Sequence, residues 1–334
     1  MPEPRGDQLL LKITGAGICG TDAGFYTVGR EAFGMAGPVI LGHEFAGVVA
    51  ATGPDAVRFE VGDEVASGAN VSCGRCAPCR RGTANLCDSY RTAGINFDGG
   101  LAEYCVVSEQ SCEPAAAHGL TGDAVALAQP MAIAHHSVTT GRIAAGDEAL
   151  IIGVGGVGLF ATWIASQLGA NVTAVDVEPE RLRLAEKLGA ARTVQPGDGG
   201  IYEELADDGA ARWDAIYEAS GGAEPLSDAV RLARKGTRVV LIGVQKQPLE
   251  LDATRLIAEE IELAGSAAHN RAVDLPAAMD LLAARPEGWA DVAPTALPLD
   301  RVIEDGLGAL AERRAAAVKI LVDPRADSPR PYQA

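Results

Sequence analysis

Cys73, Cys76, Cys79 and Cys87 follow the pattern C-x2-C-x2-C-x7-C inside a loop-like stretch, Ser72 to Asp88, rich in Gly, Pro, Arg and Ala. Four thiolates at this spacing can close a tetrahedron around Zn²⁺, with sulfur about 2.3 Å from the metal and no coordination position left open for chemistry. The expected role is structural. An iron–sulfur cluster is the competing metal and four inert thiols the third reading. Cys105 and Cys112 stand outside the pattern and read as small buried apolar residues.

A second constellation is the run Gly153-Val154-Gly155-Gly156-Val157-Gly158, which fits G-x-G-x-x-G. The apolar segment Ala149 to Ile152 precedes it, a helical pattern follows, and Asp176 closes the next strand-like run eighteen positions after Gly158. Glycines here permit a tight turn, close approach of backbone to a pyrophosphate and packing of helix on sheet. The helix start supplies N–H groups and a positive dipole end. Asp176 is expected to accept hydrogen bonds from an adenosine ribose and to repel a 2′-phosphate, which predicts NAD(H) over NADP(H). A glycine-rich turn without a ligand is the alternative.

Two short motifs near the amino terminus, Gly17-Ile18-Cys19-Gly20-Thr21-Asp22 and Gly42-His43-Glu44, hold further candidate ligands. Each alone is ambiguous, since a lone His43 is more often packed or surface-exposed than bound to metal.

The elements that must position these groups fall into two styles. From Leu9 to about Val107, short β-type runs are broken by glycine: Leu9 to Thr14, Phe45 to Thr52, Glu64 to Ala66 and Ala102 to Val107. A helix is predicted from near Pro130 to Arg142. Strand-like runs at Glu148 to Ile152, Val172 to Asp176, Asp214 to Glu218, Thr237 to Ile242 and Ile261 to Ala264 then alternate with helical patterns such as Pro179 to Leu188 and Glu224 to Leu232. That alternation predicts a parallel sheet of right-handed βαβ units. The segment Leu299 to Val322 reads as a helix then a strand, and the Pro-rich end from Asp323 as loose.

With 334 residues, 48% apolar and 22% charged, the chain can bury a sizeable core and favours two domains over one. Forty-five Asp and Glu against twenty-eight Lys and Arg give −17, a field that repels phosphate backbones and anionic lipid. Neither nucleic acid nor a membrane is an expected partner. The uncharged stretch Ala149 to Val175 is long enough for a span, but Gly153, Gly155, Gly156, Gly158 and Gly169 punctuate it, so it reads as a buried strand, turn and helix. No basic start or apolar h-region opens the chain, and the seven cysteines, odd in number with four tightly clustered, point to metal over disulfides. The expected location is the cytoplasm.

Taken in order, the two short motifs, the four-cysteine lobe and the glycine fingerprint resemble a zinc-dependent medium-chain alcohol or polyol dehydrogenase, of the sorbitol, butanediol and threonine dehydrogenase branch. The resemblance runs from about Leu9 to Pro324 and includes the ending Val318-Lys319-Ile320-Leu321-Val322-Asp323-Pro324. It implies an α/β fold: an irregular, β-rich, GroES-like catalytic domain plus a doubly wound Rossmann domain. The implied boundaries are 1–128 for the catalytic domain with its zinc lobe at 72–88, 129–265 for the NAD-binding domain, and 266–334 for a return segment completing the first. It also implies a further strand before Pro2-Glu3-Pro4, and a homodimer or homotetramer built through the nucleotide-binding domain. Cys19 and His43 become ligands of a catalytic Zn²⁺, with Glu44 as ligand or near-ligand. Thr21 would hydrogen-bond the substrate oxygen and begin a proton relay, and Asp22 would orient His43. Arg181 is placed near the adenosine ribose, and Ile242, Gly243 and Val244 along the nicotinamide. The implied reaction passes a hydride between NAD(H) and a secondary alcohol or its ketone.

One departure stands out. Members of this branch commonly carry Glu-Pro-Leu where this chain has Gln129-Pro130-Met131. An amide oxygen in place of a carboxylate leaves the site one unit more positive, with looser metal binding and a more acidic bound water or alcohol. Glu44 could compensate only where the backbone bends, because adjacent strand residues face opposite ways. His135 and His136 follow on the same predicted helix, and packing is their expected role. The alternatives are a metal-independent medium-chain reductase and a non-catalytic dinucleotide-binding redox sensor with a degraded zinc site.

Overall fold

The computed structural model describes residues 1–206, 213–245, 247–312, 314–315 and 317–334. The chain divides into two compact units, one formed by Met1–Ala132 with His269–Ala334, the other by Ile133–Ala268.

The strands of the first unit, up to its departure, are β1 (Gln8–Ile18), β2 (Glu44–Thr52), β3 (Glu64–Ser67), β4 (Asn70–Val71), β5 (Arg91–Thr92), β6 (Tyr104–Ser108) and β7 (Cys112–Pro114). The second unit contributes β8 (Glu148–Ile152), β9 (Asn171–Val175), β10 (Arg192–Val194), β11 (Ala215–Glu218), β12 (Arg238–Leu241) and β13 (Glu262–Gly265). The returning chain adds β14 (Thr295–Leu297), β15 (Ile320–Val322) and β16 (Arg330–Pro331).

In the first unit, β1 is the hub: it pairs antiparallel with β2, β6 and β15. Leu9, Leu11 and Ile13 alternate onto one face and pack with Phe45, Val49 and Val65 in the core, the period-2 pattern of a strand. The strand runs four residues beyond the predicted Thr14, through Gly15, Ala16 and Gly17, whose low strand propensity hid the extension. It ends at Ile18, and Cys19 then caps the helix Gly20–Val28.

The second unit is a six-stranded parallel sheet in the order β10-β9-β8-β11-β12-β13, so the strand order reverses between β8 and β11. Leu150, Ile152, Val175, Trp213, Ile216 and Val239 form the core on one side. The uncharged stretch resolves into β8, the helix Gly156–Gln167 and β9, as the punctuating glycines predict. No helix among the described residues is long and apolar enough to cross a membrane. The predicted strands and helices are present to within a few residues, including Ala128–Gly141 with Pro130 in its first turn. Strand β10 escaped prediction because it is a three-residue edge strand with too few positions to show a period.

The segment after Pro298 is a helical stretch in short turns, Leu299–Arg301, Val302–Gly308 and Ala309–Ala311, followed by β15. Residues 313 and 316 within it lie outside the described residues. The expectation of a loose end from Asp323 is overturned. Arg330 in β16 makes two 2.7 Å hydrogen bonds to the buried carboxylate of Asp123 and one of 2.8 Å to Asp323. Strand β16 also pairs with β14. The anchoring partner Asp123 lies 207 positions away, beyond the reach of local composition.

Candidate active site

Antiparallel pairing brings the two short motifs together. Gly17 at the end of β1 stands opposite Glu44 at the start of β2, and Ile18 stands opposite Ile320 of β15. Three strand ends therefore meet, delivering Cys19, His43, Glu44 and Lys319. The donor atoms of Cys19, His43 and Glu44 all lie within 4.8 Å of one another. The bend that lets neighbours His43 and Glu44 converge is at Gly42, whose φ of +92° strains any side-chain-bearing residue. A Cβ there would also lie 2.7 Å from the Leu101 side chain.

Asp22 is wholly buried and ties the arms together. Its Oδ2 accepts the Cys19 amide at 2.9 Å, its Oδ1 accepts the Gly42 amide at 3.3 Å, and Oδ1 stands 3.5 Å from His43 Nδ1. Burial raises the Asp22 carboxyl pKa, but the His43 ring and these two amides outweigh it and hold the group below its ordinary value. Burial lowers the His43 pKa, and the Asp22 and Cys19 charges more than reverse that, favouring the cationic ring. A half-buried sulfur beside a buried imidazole and carboxylate, in a field that favours a cation, fits a divalent metal such as Zn²⁺.

Lys319 was not singled out from sequence, although a single charge inside the apolar run Val318 to Val322 was the available signal. Its Nζ is buried, pairs with Glu44 Oε2, and lies 3.5 Å from the Ile18 carbonyl. Burial disfavours the ammonium, but Glu44 and Cys19 overcome it and raise the Lys319 pKa. Thr21 is half-buried in the first turn of Gly20–Val28, and Gln129 is buried in the first turn of Ala128–Gly141. His135 and His136 are half-buried later in that helix.

Cys73, Cys76, Cys79 and Cys87 also converge, with donor sulfurs within 4.8 Å of one another. Backbone amides are turned onto them: those of Cys73 and Ser89 donate to Cys87 Sγ at 3.2 and 3.3 Å. The amides of Arg75 and Cys76 lower the Cys73 thiol to about 6, while desolvation and neighbouring thiols push Cys79 up to about 11. Four convergent sulfurs ringed by N–H donors fit a closed tetrahedral metal site. By contrast, burial pushes Cys105 and Cys112 each up to about 12, the behaviour of inert packed thiols.

In the second unit the fingerprint glycines divide by cause. Cβ atoms at Gly153 and Gly158 would lie 2.7 Å from the Ser220 amide nitrogen and 1.9 Å from the Gly153 carbonyl oxygen, so packing excludes side chains there. Gly155 has an ordinary φ of −72° and nothing within 4 Å of its Cβ position. The backbone at Gly155 is open, and the N–H groups at the start of Gly156–Gln167, from Gly156 and Val157 on, could receive an anion there. Asp176 follows β9, and its carboxylate accepts the amides of Val154 at 2.9 Å and Glu178 at 3.0 Å. Arg181 Nη1 lies 3.6 Å from it. Gly243 and Val244 follow β12; Val244 is exposed, and a Cβ on Gly243 would lie 2.2 Å from the Gly221 amide nitrogen.

A metal-capable cluster in a β-rich unit and a glycine fingerprint on a parallel sheet define a nucleotide-dependent metalloenzyme class, and sequence comparison agrees. Residues 5–117 match the alcohol dehydrogenase GroES-like domain and residues 156–284 the zinc-binding dehydrogenase domain. Sorbitol dehydrogenase of Bacillus subtilis (strain 168) is 33% identical over 273 residues, covering 79% of this chain and 76% of that protein. A protein of Sinorhizobium meliloti 1021 solved with NADP bound is similar in structure, with a TM-score of 0.84 and 32% identity over 97% of this chain and 94% of that one. So is an alcohol dehydrogenase of Escherichia coli CFT073 complexed with NADH, with a TM-score of 0.86, 26% identity and coverage of 97% and 94%. The chain belongs to the zinc-binding, medium-chain alcohol dehydrogenase family.

Proposed function

We propose that this chain is an NAD(H)-dependent zinc dehydrogenase that oxidises a secondary alcohol or polyol to a ketone, or runs the reverse. The carrying observation is the convergence of Cys19, His43 and Glu44 around the buried Asp22. Cys19 and His43 would hold the catalytic zinc, with Glu44 and the amide oxygen of Gln129 as further ligands. Cys73, Cys76, Cys79 and Cys87 would hold a second, structural zinc. When bound, the catalytic ion polarises the alcohol oxygen and the nicotinamide takes the hydride. Asp22 keeps His43 in place from behind, and Lys319 offsets the charge of Glu44. Thr21 would hydrogen-bond the substrate hydroxyl and start its proton toward solvent.

In the nucleotide-binding unit, the loop of Gly153, Gly155, Gly156, Val157 and Gly158 would receive the pyrophosphate. Asp176 would take the adenosine ribose, with Arg181 beside it, and Ile242, Gly243 and Val244 would run along the nicotinamide. The charge of Asp176 supports NAD over NADP, and its contact with the Val154 amide links ribose recognition to the phosphate loop. Similarity to sorbitol dehydrogenase supports a polyol as substrate class. A homodimer or homotetramer in the cytoplasm completes the reading.

The test is NAD⁺ reduction over a panel of sugar alcohols, diols and hydroxy amino acids, with and without a chelator. Turnover that dies on chelation and returns with zinc is expected. Turnover indifferent to chelation would favour the metal-independent reductase, and cofactor binding without turnover the redox sensor.

A further inference from the structure

Glu218 ends β11 wholly buried, and its hydrogen bonds join two loops. Its Oε1 accepts the amides of Ser220 at 2.8 Å and Gly221 at 3.1 Å, and also the Ser220 hydroxyl. Its Oε2 accepts Gln245 Nε2 at 2.8 Å, and its carbonyl accepts the amides of Ile242 and Gly243, each at 2.9 Å. The loop after β11 and the loop after β12 thus hang on one residue, the first through its carboxylate and the second through its carbonyl and, at Gln245, its carboxylate. Packing between them leaves no slack, for a Cβ on Gly243 would lie 2.2 Å from the Gly221 amide nitrogen and 2.9 Å from Glu218 Oε2. The phosphate loop joins the same cluster, since a Cβ on Gly153 would lie 2.7 Å from the Ser220 amide nitrogen.

Strand order gives this cluster a direction. With the adenosine ribose at Asp176 after β9 and the pyrophosphate at the loop after β8, the other half of a dinucleotide must extend across the carboxyl ends of β11 and β12. A buried carboxylate is costly to desolvate, and its retention needs a full set of donors, as found here. We propose that Glu218 and Gln245 form a clamp that fixes the two loops as the seat of the nicotinamide ribonucleotide half. Both are positioning residues, acting through Gly221, Gly243 and Val244. The inference rests on the dinucleotide reading above.

Calorimetric titration with NADH and with adenosine diphosphoribose, which lacks the nicotinamide, separates this role from a general structural one. Glu218→Gln removes the negative charge that holds the Ser220, Gly221 and Gln245 donors, and its contact with Gln245 survives only if the Gln245 amide turns over. The dissociation constant for NADH is expected to rise about tenfold while that for adenosine diphosphoribose stays within about twofold. Gln245→Leu removes only the Oε2 partner, should move NADH the same way by a few-fold, and decides the matter if Glu218→Gln does not fold. Equal weakening of both ligands, or of neither, overturns the clamp. Failure of the unsubstituted protein to bind either ligand instead overturns the dinucleotide reading itself.

Discussion

Lys319 Nζ rests on Glu44 Oε2, joining residues 275 positions apart at a buried corner of the antiparallel sheet. The pair lies where the Cys19, Glu44 and Lys319 strand ends meet, so its charge balance bears on any cation held there. Lys319→Met would strand a buried carboxylate, and metal-stripped protein should lose about 3–5 kcal/mol. The loss should shrink with zinc present, and Lys319→Met/Glu44→Gln should recover most of it. Urea unfolding of these variants with and without zinc measures each part; a single variant as stable as the parent would show that the pair contributes nothing.

Asp22 accepts both the Cys19 and Gly42 amides while facing His43, so it holds the two candidate ligand arms in one geometry. Asp22→Asn is expected to weaken zinc at that site by about 10–100-fold. Competition with a graded chelator should strip this metal early and leave the four-cysteine metal in place.

The seven thiols divide into roles that metal analysis can separate. Cys87→Ser should cost the chain one bound zinc and lower its melting temperature. Cys112→Ala should retain all the metal and lose only about 1 kcal/mol from the small void left in the core. Metal loss in Cys112→Ala would contradict its assignment as a packed thiol.

The carboxyl-terminal anchor should give an acid-labile component of stability. Burial raises the Asp323 pKa, but Arg325 and Arg330 outweigh it and hold the carboxyl below its ordinary 3.8. A depressed folded-state pKa contributes stability that is complete above the unfolded value and fades as pH falls through the folded one. Wild type should therefore lose more stability than Asp323→Asn as pH falls below the ordinary carboxylate value of 3.8. Arg330→Ala, which strands the buried Asp123, should cost about 3 kcal/mol at neutral pH. Coincident acid-unfolding curves for wild type and Asp323→Asn would remove Asp323 from the account.

Cofactor choice is testable at Asp176. Asp176→Ser should weaken NAD(H) more than NADP(H), because the substitution removes both a ribose acceptor and a charge opposed to a 2′-phosphate. It also removes the acceptor of the Val154 amide, so some loss on both cofactors is expected. Equal loss on both, read from dissociation constants, would contradict the ribose role.

The four-cysteine lobe and the glycine fingerprint were legible from sequence because each is contiguous. Four cysteines within fifteen residues, and six residues that run from the end of a strand into the first turn of a helix, carry their own geometry. The parallel sheet was legible for a related reason: buried strands of four or five residues alternating with helices leave a periodic trace. The Lys319 contact, the anchored tail and the Glu218 clamp left none, since each joins groups whose encounter depends on which strands are neighbours. Composition and local spacing determined which residues could do chemistry. Only strand pairing across the folded sheets decided which of them meet, because a charge buried far from its partner in sequence finds it through register.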